Sequence, residues 1–352
     1  MFFSFRFPKG RHFEGIGLTY DDVLLVPKYN AQGSRRQVST EQTDRSGKLS
    51  LAIPIITANM DTVTSFAMAN FIGERGGIGA LHRLMSVEKN VEAFKKCRYP
   101  AFVSLGCGDK GMARARAAFA VGARFFNLDI AHGHAKEMGE TLRQLRREFG
   151  DVCIMAGNVA TYSGAKFLYE NGADLVKVGI GGGSVCTTRI KTGFGVSNIS
   201  AIADCSRVKC SIVADGGIRT PADVVKALAF GADFVMLGGM LAGTGPTPGE
   251  VSEENGERFK VHRGLDSRET QMQWFGEVPA WRTPEGVTAR VPYRDDEEAI
   301  LAEVIGGLRS GLTYCGVSRI AELQRDFTYR IVSDQSFKEG LPHRLTAKGL
   351  GR

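Results

Sequence analysis

The chain lacks the residue patterns of a zinc site, a disulfide framework, a signal peptide and a membrane span. Its seven cysteines include no Cys-x-x-Cys pair. His132 and His134 have no evident third metal ligand beside them, so we interpret these two residues as loop histidines without a metal. Scattered thiols in odd number are typical of a reducing compartment, so we expect a cytoplasmic protein. Met1–Pro8 lacks a signal peptide's apolar stretch. No apolar run approaches the roughly 18 residues of a membrane span, so we expect no membrane partner.

The sequence also lacks the Gly-x-Gly-x-x-Gly fingerprint between a strand and a helix. If a nicotinamide cofactor binds, it therefore does not use the Rossmann route. The net charge of +7 is spread along the chain, and its densest basic cluster, Arg143–Arg147, falls on a predicted amphipathic helix. That cluster is either a solvated helix face or a nucleic-acid patch. Because no basic-aromatic motif accompanies it, we predict no nucleic-acid partner. A mild positive charge also suits phosphorylated substrates.

One structural unit recurs between residues 50 and 245. A helical stretch ends in Gly-Ala, a short apolar strand follows, and a polar or Gly-rich turn comes next, with clear copies starting at Gly122, Gly172 and Gly231. Glycine at a helix end adopts the left-handed cap without steric cost. Strands that alternate with helices predict a parallel sheet. The predicted strands are Ile53–Thr57, Gly77–Leu81, Ala101–Leu105, Phe125–Asp129, Val152–Ala156, Leu175–Gly179, Ser211–Ala214 and Phe234–Gly238.

Eight such units favour an α/β fold closed into a (β/α)8 TIM barrel. One barrel commonly needs about 250 residues plus insertions, so we predict that residues 1–352 form a single catalytic domain. The polar, proline-containing residues 246–300 do not fit the unit, and we interpret them as a mobile flap inserted after strand 8. Helical spacing returns at Ala299–Gln324. Barrel chemistry takes place on the loops after the carboxyl ends of the strands, which directs attention to those loops.

The segment Gly179–Arg189, Gly-Ile-Gly-Gly-Gly-Ser-Val-Cys-Thr-Thr-Arg, is the most specific motif. Its glycines let the backbone turn amides or carbonyls towards a ligand or an ion, and Ser184 can bond a phosphate oxygen. A thiolate at Cys186 could attack an electron-poor ring carbon. The alternative is a small buried thiol, and Cys107 is a rival in a shorter Gly-rich loop.

Two further loops, after the seventh and eighth predicted strands, are candidates for a phosphate site, because barrels commonly bind phosphate there. They contain Asp215-Gly216-Gly217 and Gly238-Gly239. Asp215 could accept both hydroxyls of a ribose, or it could simply form an Asp-Gly turn.

Together these motifs resemble the IMP dehydrogenase/GMP reductase family. The segments that carry the resemblance, in order over about residues 15–335, are Gly17–Pro27, Ala58–Val63, Gly179–Arg189, Ala214–Gly217 and Met236–Met240. The resemblance implies a covalent bond between Cys186 and the base of a purine nucleoside monophosphate. It also implies a nicotinamide cofactor, a potassium ion and a homotetramer.

Two family reactions compete, and three features favour the reductive one, in which GMP loses ammonia and NADPH supplies hydride to give IMP. From His82 to Ala101 there is room for one helix, so we expect no CBS domains. Neither Arg268 nor Arg282 precedes the tyrosine that dehydrogenase flaps use to activate water. Trp281–Gly286 resembles the reductase segment. The alternatives are a dehydrogenase without CBS domains, which oxidises IMP to XMP with NAD, and a nucleotide-binding protein without catalysis.

The resemblance also implies roles for individual residues. Cys186 is the nucleophile, and Thr188 with Glu285 protonates the departing amine, although Glu285 could instead be only an exposed flap carboxylate. The nucleotide-binding set is Met60, Ser184, Asp215, Gly216, Gly217, Gly238, Gly239, Gly264, Leu265, Asp266, Arg282 and Gly286. The NADPH set is Ser34, Arg35, Arg83, Asp129, Ile130, Ala131, Ile180, Gly181, Trp281, Ser310 and Thr313, of which Ser34 and Arg35 reach the cofactor of a neighbouring subunit. The potassium set is Gly181, Gly183, Cys186 and Arg189.

Four positions depart from the family pattern. Gly182 replaces a usual proline, which predicts a looser loop before ligand binds, and Arg83 stands where relatives often have lysine. His262 stands where dehydrogenases often have a phosphate-binding tyrosine. Asp266 replaces a serine or glycine, and its carboxylate would repel a phosphate unless it turns away. We expect the changes at Gly182, His262 and Asp266 to affect phosphate affinity and nucleotide choice and to leave the chemistry intact.

Overall fold

The structure is a computed structural model that describes residues 15–342. Its strands are β1 (Val23–Leu25), β2 (Gln42–Thr43), β3 (Ser50–Leu51), β4 (Ile55–Thr57), β5 (Ile78–Leu81), β6 (Ala101–Leu105), β7 (Phe125–Asp129), β8 (Cys153–Val159), β9 (Leu175–Val178), β10 (Ser211–Asp215), β11 (Phe234–Leu237), β12 (Ser252–Glu254), β13 (Glu257–Arg263), β14 (Thr288–Pro292) and β15 (Tyr329–Ile331). Met1–Pro8, on which the signal-peptide prediction depends, lies outside the described residues.

The α-helices are α1 (Phe66–Glu74), α2 (Val87–Lys95), α3 (Gly108–Ala120), α4 (Lys136–Phe149), α5 (Tyr162–Glu170), α6 (Thr188–Thr192), α7 (Asn198–Cys205), α8 (Pro221–Ala229), α9 (Arg268–Phe275), α10 (Glu297–Cys315), α11 (Ile320–Arg325) and α12 (Asp334–Glu339). A short 3₁₀ helix covers Arg35–Gln37. Within residues 15–342, no helix is both long and apolar enough to cross a membrane.

The strands β4 to β11 form a closed parallel barrel, which confirms the predicted architecture. Each strand pairs with the next along the chain, and β11 closes the barrel by pairing with β4. The barrel strands are buried on both faces; Phe102, Phe126 and Phe234 are fully buried. Such double burial explains why these strands are continuous apolar runs in the sequence.

The predicted glycine caps are confirmed by the backbone angles. Gly122, Gly172 and Gly231 have φ values of 101°, 110° and 110°, in the left-handed region that disfavours residues with a Cβ. One helix, α2, lies between β5 and β6, as the spacing predicted. The helical prediction at Ala299–Gln324 is met by α10 and α11.

Residues 246–300 contain more regular structure than the sequence analysis indicated. They carry the antiparallel sheet β12-β13-β14 and the helix α9. The strand pattern in β13 was hidden because its buried side chains include Lys260 and His262, which are polar. The Lys260 Nζ is satisfied there by the carbonyl oxygens of Thr244 (3.0 Å) and Thr247 (2.7 Å). This segment, called the flap below, packs its sheet against the carboxyl end of the barrel.

Candidate active site

The loop after β9 and the loop after β10 approach each other closely at the carboxyl end of the barrel. Gly179 has a φ of 147°, and a Cβ there would collide with the carbonyl oxygen of Asp215. Gly182 packs against the side chain of Asn198, which donates from Nδ2 to the carbonyl oxygen of Gly216. A proline ring at position 182 would therefore require Asn198 to move. This packing is a physical reason for the departure from the family pattern.

Cys186 is half-buried in the loop after β9 and lies beside a threonine hydroxyl. Its Sγ donates a hydrogen bond to the Oγ1 of Thr188 at 3.2 Å. Thr188 begins α6, so its position relative to the thiol is set by the first turn of that helix. The predicted nucleophile and one member of the predicted proton-transfer pair are thus in contact.

The flap pairs with the Cys186 loop through the backbone. The Thr187 N–H donates to the carbonyl of Glu285 (2.8 Å), and the Val287 N–H donates to that of Val185 (2.9 Å). Together they form a short antiparallel bridge at Cys186 and Gly286. This bridge brings Glu285 into the same site as Cys186, although the two residues are distant in the sequence.

Asp266 and Arg282, both predicted to contact the nucleotide, contact each other. The Asp266 Oδ1 accepts hydrogen bonds from Arg282 (2.6 Å) and from the Gln271 Nε2 (2.7 Å). The Glu285 N–H donates to the Asp266 carbonyl (3.1 Å) and lies 3.3 Å from its Oδ2. The Asp266 carboxylate thus has its hydrogen-bond partners within the flap. Its observed role is to hold the backbone of Glu285.

The predicted phosphate residues converge around Ser184, which is exposed. A Cβ on Gly239 would lie 2.9 Å from the Ser184 Oγ, and a Cβ on Gly238 would lie 3.5 Å from the Met60 Sδ. A side chain at Gly239 would therefore crowd the Ser184 hydroxyl, whereas one at Gly238 would make ordinary contact with Met60. The other predicted nucleotide residues at this end of the barrel are Gly216, Gly217, Gly264, Leu265 and Gly286. Gly264 and Gly286 are in backbone contact, since a Cβ on either would lie 3.1 Å from the Cα of the other.

Lys177, which the sequence analysis did not single out, joins two of the predicted site residues. Its Nζ lies 2.6 Å from the Asp129 Oδ1 and 3.5 Å from the Asp215 Oδ2, and its side chain is 3% exposed. The Asp215 Oδ2 also accepts from the Asn158 Nδ2 at 2.8 Å. The one available signal was a lysine inside the otherwise apolar strand β9.

The predicted cofactor residues fall into two groups. In the first, at the carboxyl end of the barrel, the Arg83 Nε lies 3.7 Å from the Asp129 Oδ2, and it has no hydrogen-bond partner within the described chain. A buried N–H that lacks a hydrogen-bond acceptor is suited to a polar group of a ligand at this point. Ile130 and Ala131 follow Asp129 directly, Ile180 and Gly181 lie in the Cys186 loop, and Trp281, in the flap, is 83% exposed.

The second group lies on the outside of the barrel. Ser34 caps the 3₁₀ helix that contains Arg35, and α10, which carries Ser310 and Thr313, packs against that helix. The four predicted cofactor residues of the second group therefore belong to two neighbouring helices.

The backbone around Gly181, Gly183 and Arg189 is compatible with a monovalent cation. The Gly183 carbonyl accepts from the Cys186 N–H (3.2 Å) and the Arg189 carbonyl from the Gly193 N–H (3.1 Å), so each keeps a second lone pair. Residues 15–342 contain no group of three His, Cys, Asp or Glu suited to a metal ion. His134 packs its ring against Phe167, with centroids 5.1 Å apart.

Comparison with known proteins adds relatives over nearly the whole chain. The family model described as IMP dehydrogenase / GMP reductase domain matches residues 17–343. GMP reductase 1 of Mus musculus is 40% identical over 332 residues, covering 91% of this chain and 96% of the relative. GMP reductase of Yersinia enterocolitica is 38% identical over 335 residues, covering 92% and 96%. A crystal structure of inosine 5′-monophosphate dehydrogenase from Legionella pneumophila superposes with a TM-score of 0.84 at 57% identity, covering 91% of this chain and 99% of that chain.

Proposed function

The chain belongs to the IMP dehydrogenase / GMP reductase family, and we propose that it is a GMP reductase, which converts GMP to IMP and ammonia with NADPH. The observation that carries this proposal is the backbone bridge between the flap and the Cys186 loop, which brings Glu285 to Cys186 and Thr188. We propose that the Glu285 carboxyl joins the Cys186 thiol and the Thr188 hydroxyl there, which would provide the nucleophile and the acid pair that deamination requires.

The relatives include proteins assigned to each of the two family reactions. The two sequence relatives given above are GMP reductases at 38–40% identity, whereas the Legionella structure, at 57% identity, is that of an inosine 5′-monophosphate dehydrogenase. That likeness makes IMP dehydrogenase the second candidate, with oxidation of IMP to XMP by NAD. The flap favours the reductase, because neither Arg268 nor Arg282 is followed by tyrosine and Glu285 is present.

In the proposed mechanism, the Cys186 thiolate attacks C2 of the guanine base. The 2-amino group must leave as ammonia, because an amide ion is too poor a leaving group, and Thr188 with Glu285 supplies the proton. The product of this step is a thioimidate between Cys186 and C2. A bound NADPH would supply the hydride that this carbon needs, and the role of Cys186 is then to leave as the thiolate and release IMP.

The remaining residues bind and orient. We propose that Ser184, Gly217, Gly238 and Gly239 hold the phosphate through a hydroxyl and backbone amides, and that Asp215 accepts the ribose hydroxyls. Met60 would contact the nucleotide beside Gly238, to which its Sδ lies close. Asp266 would hold the backbone N–H of Glu285, and Arg282, which bonds the Asp266 carboxylate, would contact the nucleotide beside it.

For NADPH, we propose that Arg83, Asp129, Ile130 and Ala131 face the nicotinamide, and that Ser34, Arg35, Ser310 and Thr313 meet the adenosine end of a neighbouring subunit's cofactor. A guanidinium at Arg35 would pair well with a 2′-phosphate. This arrangement needs an oligomer, and we propose a homotetramer.

Potassium would be held through carbonyl oxygens of Gly181, Gly183, Cys186 and Arg189. All seven cysteines are free, which supports a reducing, cytoplasmic setting.

A paired assay tests the function. The full-length protein is incubated with GMP and NADPH, then with IMP and NAD, and nicotinamide absorbance and ammonia are measured in each case. We expect NADPH oxidation with one ammonia released per turnover, and no sustained NADH formation from IMP. Sustained NADH and XMP formation would instead identify the chain as a dehydrogenase.

A further inference from the structure

His262 lies buried beneath the serine of the proposed phosphate site. Its Nε2 is 3.1 Å from the Ser184 Oγ, and the residue is 3% exposed, whereas Ser184 itself is exposed to solvent. A ligand oxygen that bonds Ser184 would therefore come close to an imidazole that water does not reach. The inference below rests on the proposed function, since it takes the 5′-phosphate of GMP to bind at Ser184.

Both ring nitrogens of His262 have a hydroxyl partner. The Thr62 Oγ1 accepts from the Arg263 N–H (3.2 Å) and lies 3.3 Å from the His262 Nδ1. In the neutral tautomer with the proton on Nε2, the Thr62 hydroxyl donates to Nδ1 and the Nε2–H donates to the Ser184 Oγ. In that tautomer the hydroxyl hydrogen of Ser184 is available to a ligand.

The surroundings keep the ring neutral before ligand binds. Burial lowers the pKa of His262, and the Asp61 carboxylate raises it by a smaller amount. Asp61 is itself paired with Arg263, whose Nε lies 3.0 Å from its Oδ2, so little of its charge is left to stabilise an imidazolium. The neighbouring strand β14 presents Ala289 opposite His262. A dianionic phosphate at Ser184 would be a much stronger negative charge within reach of the ring.

We propose that His262 takes up a proton when the 5′-phosphate binds, and that the resulting imidazolium becomes the cationic partner of the phosphate. The second lone pair of the Thr62 Oγ1 can accept the new Nδ1–H, so the hydrogen bonds of the ring are satisfied in both protonation states. His262 is then a specificity-determining residue, since it stabilises a nucleotide and offers no charge attraction to a nucleoside.

The sign of the pH dependence follows from this linkage. Because the complex binds a proton that the free protein lacks, GMP affinity falls as pH rises between the two pKa values of His262. One linked proton raises the Kd by up to about tenfold per pH unit. Phosphate monoesters have a second pKa of about 6, so measurements at pH 7.5 and above keep GMP itself dianionic.

The test is calorimetric titration of the full-length protein with GMP, without NADPH, in two buffers of different ionisation enthalpy. We expect the apparent enthalpy to depend on the buffer, which reveals proton uptake of up to one per site, and the Kd to rise between pH 7.5 and 8.5. The matched control is His262→Gln, whose Nε2 amide keeps a donor towards Ser184 but does not titrate. In this variant we expect buffer-independent enthalpy and a flat Kd over the same pH range.

Each other outcome has a definite meaning. If GMP binds to the unaltered protein without proton uptake, His262 stays neutral and the inference is wrong, while the proposed function stands. Proton uptake that persists in folded His262→Gln would assign the proton to another group and also overturn the inference. Failure of GMP to bind at all would remove the proposed function together with it. The wild-type titration alone decides the first point, even if the variant does not fold.

Discussion

Lys177 forms a buried ion pair with Asp129 inside the barrel, with 2.6 Å between the Nζ and the Oδ1. The same ammonium lies 3.5 Å from the Asp215 Oδ2. Asp129 is a proposed nicotinamide-side residue and Asp215 a proposed ribose-binding residue. One buried cation therefore lies between a carboxylate on each side of the site and attracts both.

The pH range of this pair follows from the pKa directions. Burial alone would raise the pKa of Asp129, but the charges of Lys177 and Arg83 hold it below the unfolded value of about 3.9. Burial alone would lower the pKa of Lys177, but Asp129 and Asp215 raise it above about 10.4. The pair thus stabilises the fold between these values. The stabilisation is lost as pH falls through the pKa of Asp129 or rises through that of Lys177.

Replacing Lys177 with methionine should destabilise the protein and alter its pH profile. Removing one partner of a buried ion pair costs about 3–5 kcal/mol, since the other charge is left uncompensated. Urea unfolding at pH 7 measures that loss, and Lys177→Arg, which keeps the charge, should lose less. In the surviving Lys177→Met enzyme, the acid limb of kcat/KM should move to higher pH, because Asp129 loses its main counter-charge. Unchanged unfolding and an unchanged pH profile would show that the ion pair contributes little.

Cys186→Ala should abolish turnover and preserve GMP binding. Without the thiol no thioimidate can form, so we expect a loss of at least about 10³-fold in kcat. NADPH oxidation measures turnover, and calorimetry measures binding. As a control, Cys107→Ala should retain activity, since Cys107 lies in a different loop and burial raises its pKa to about 11. A Cys186→Ala enzyme with near-normal rates would disprove covalent catalysis.

Glu285→Gln should slow the loss of ammonia more than the hydride step. Proton transfer by a positioned side chain contributes typically about 10²–10⁴-fold, and glutamine cannot supply the proton. Ammonia release from GMP measures the first step. The pre-steady-state formation of NADPH from IMP and NADP⁺ measures hydride transfer without deamination. Equal slowing of both would indicate that Glu285 has a structural role.

Asp266→Ser should lower kcat and leave the KM for GMP nearly unchanged. The Asp266 carboxylate holds Arg282 and the N–H of Glu285, so its loss frees the flap backbone that positions the acid. Misplacement of a catalytic group by about 1 Å can cost about 10²-fold, and we expect about tenfold here. Asp266→Asn, which keeps an acceptor oxygen, should lie between the two enzymes. A change confined to KM would instead place Asp266 against the nucleotide.

The barrel was predictable from the sequence because its signals are local. Apolar runs of strand length, Gly-Ala helix ends and polar turns recur along the chain, and Gly122, Gly172 and Gly231 adopt the predicted backbone. The Cys186–Thr188 contact was predictable for the same reason, since the two residues are two positions apart in the chain. Closure into a barrel then follows from eight parallel strands buried on both faces.

The relationships between distant segments were decided only by the tertiary structure. The flap sheet was missed because its strand β13 buries Lys260 and His262, whose polar groups are paired by partners that the sequence does not reveal. Lys177 was missed because its two carboxylates lie on other strands. The register of barrel and flap places Glu285 beside Cys186, Asp266 beside Arg282 and His262 beneath Ser184. Sequence alone determined the fold and the reactive loop, and long-range pairing determined which charged groups surround that loop.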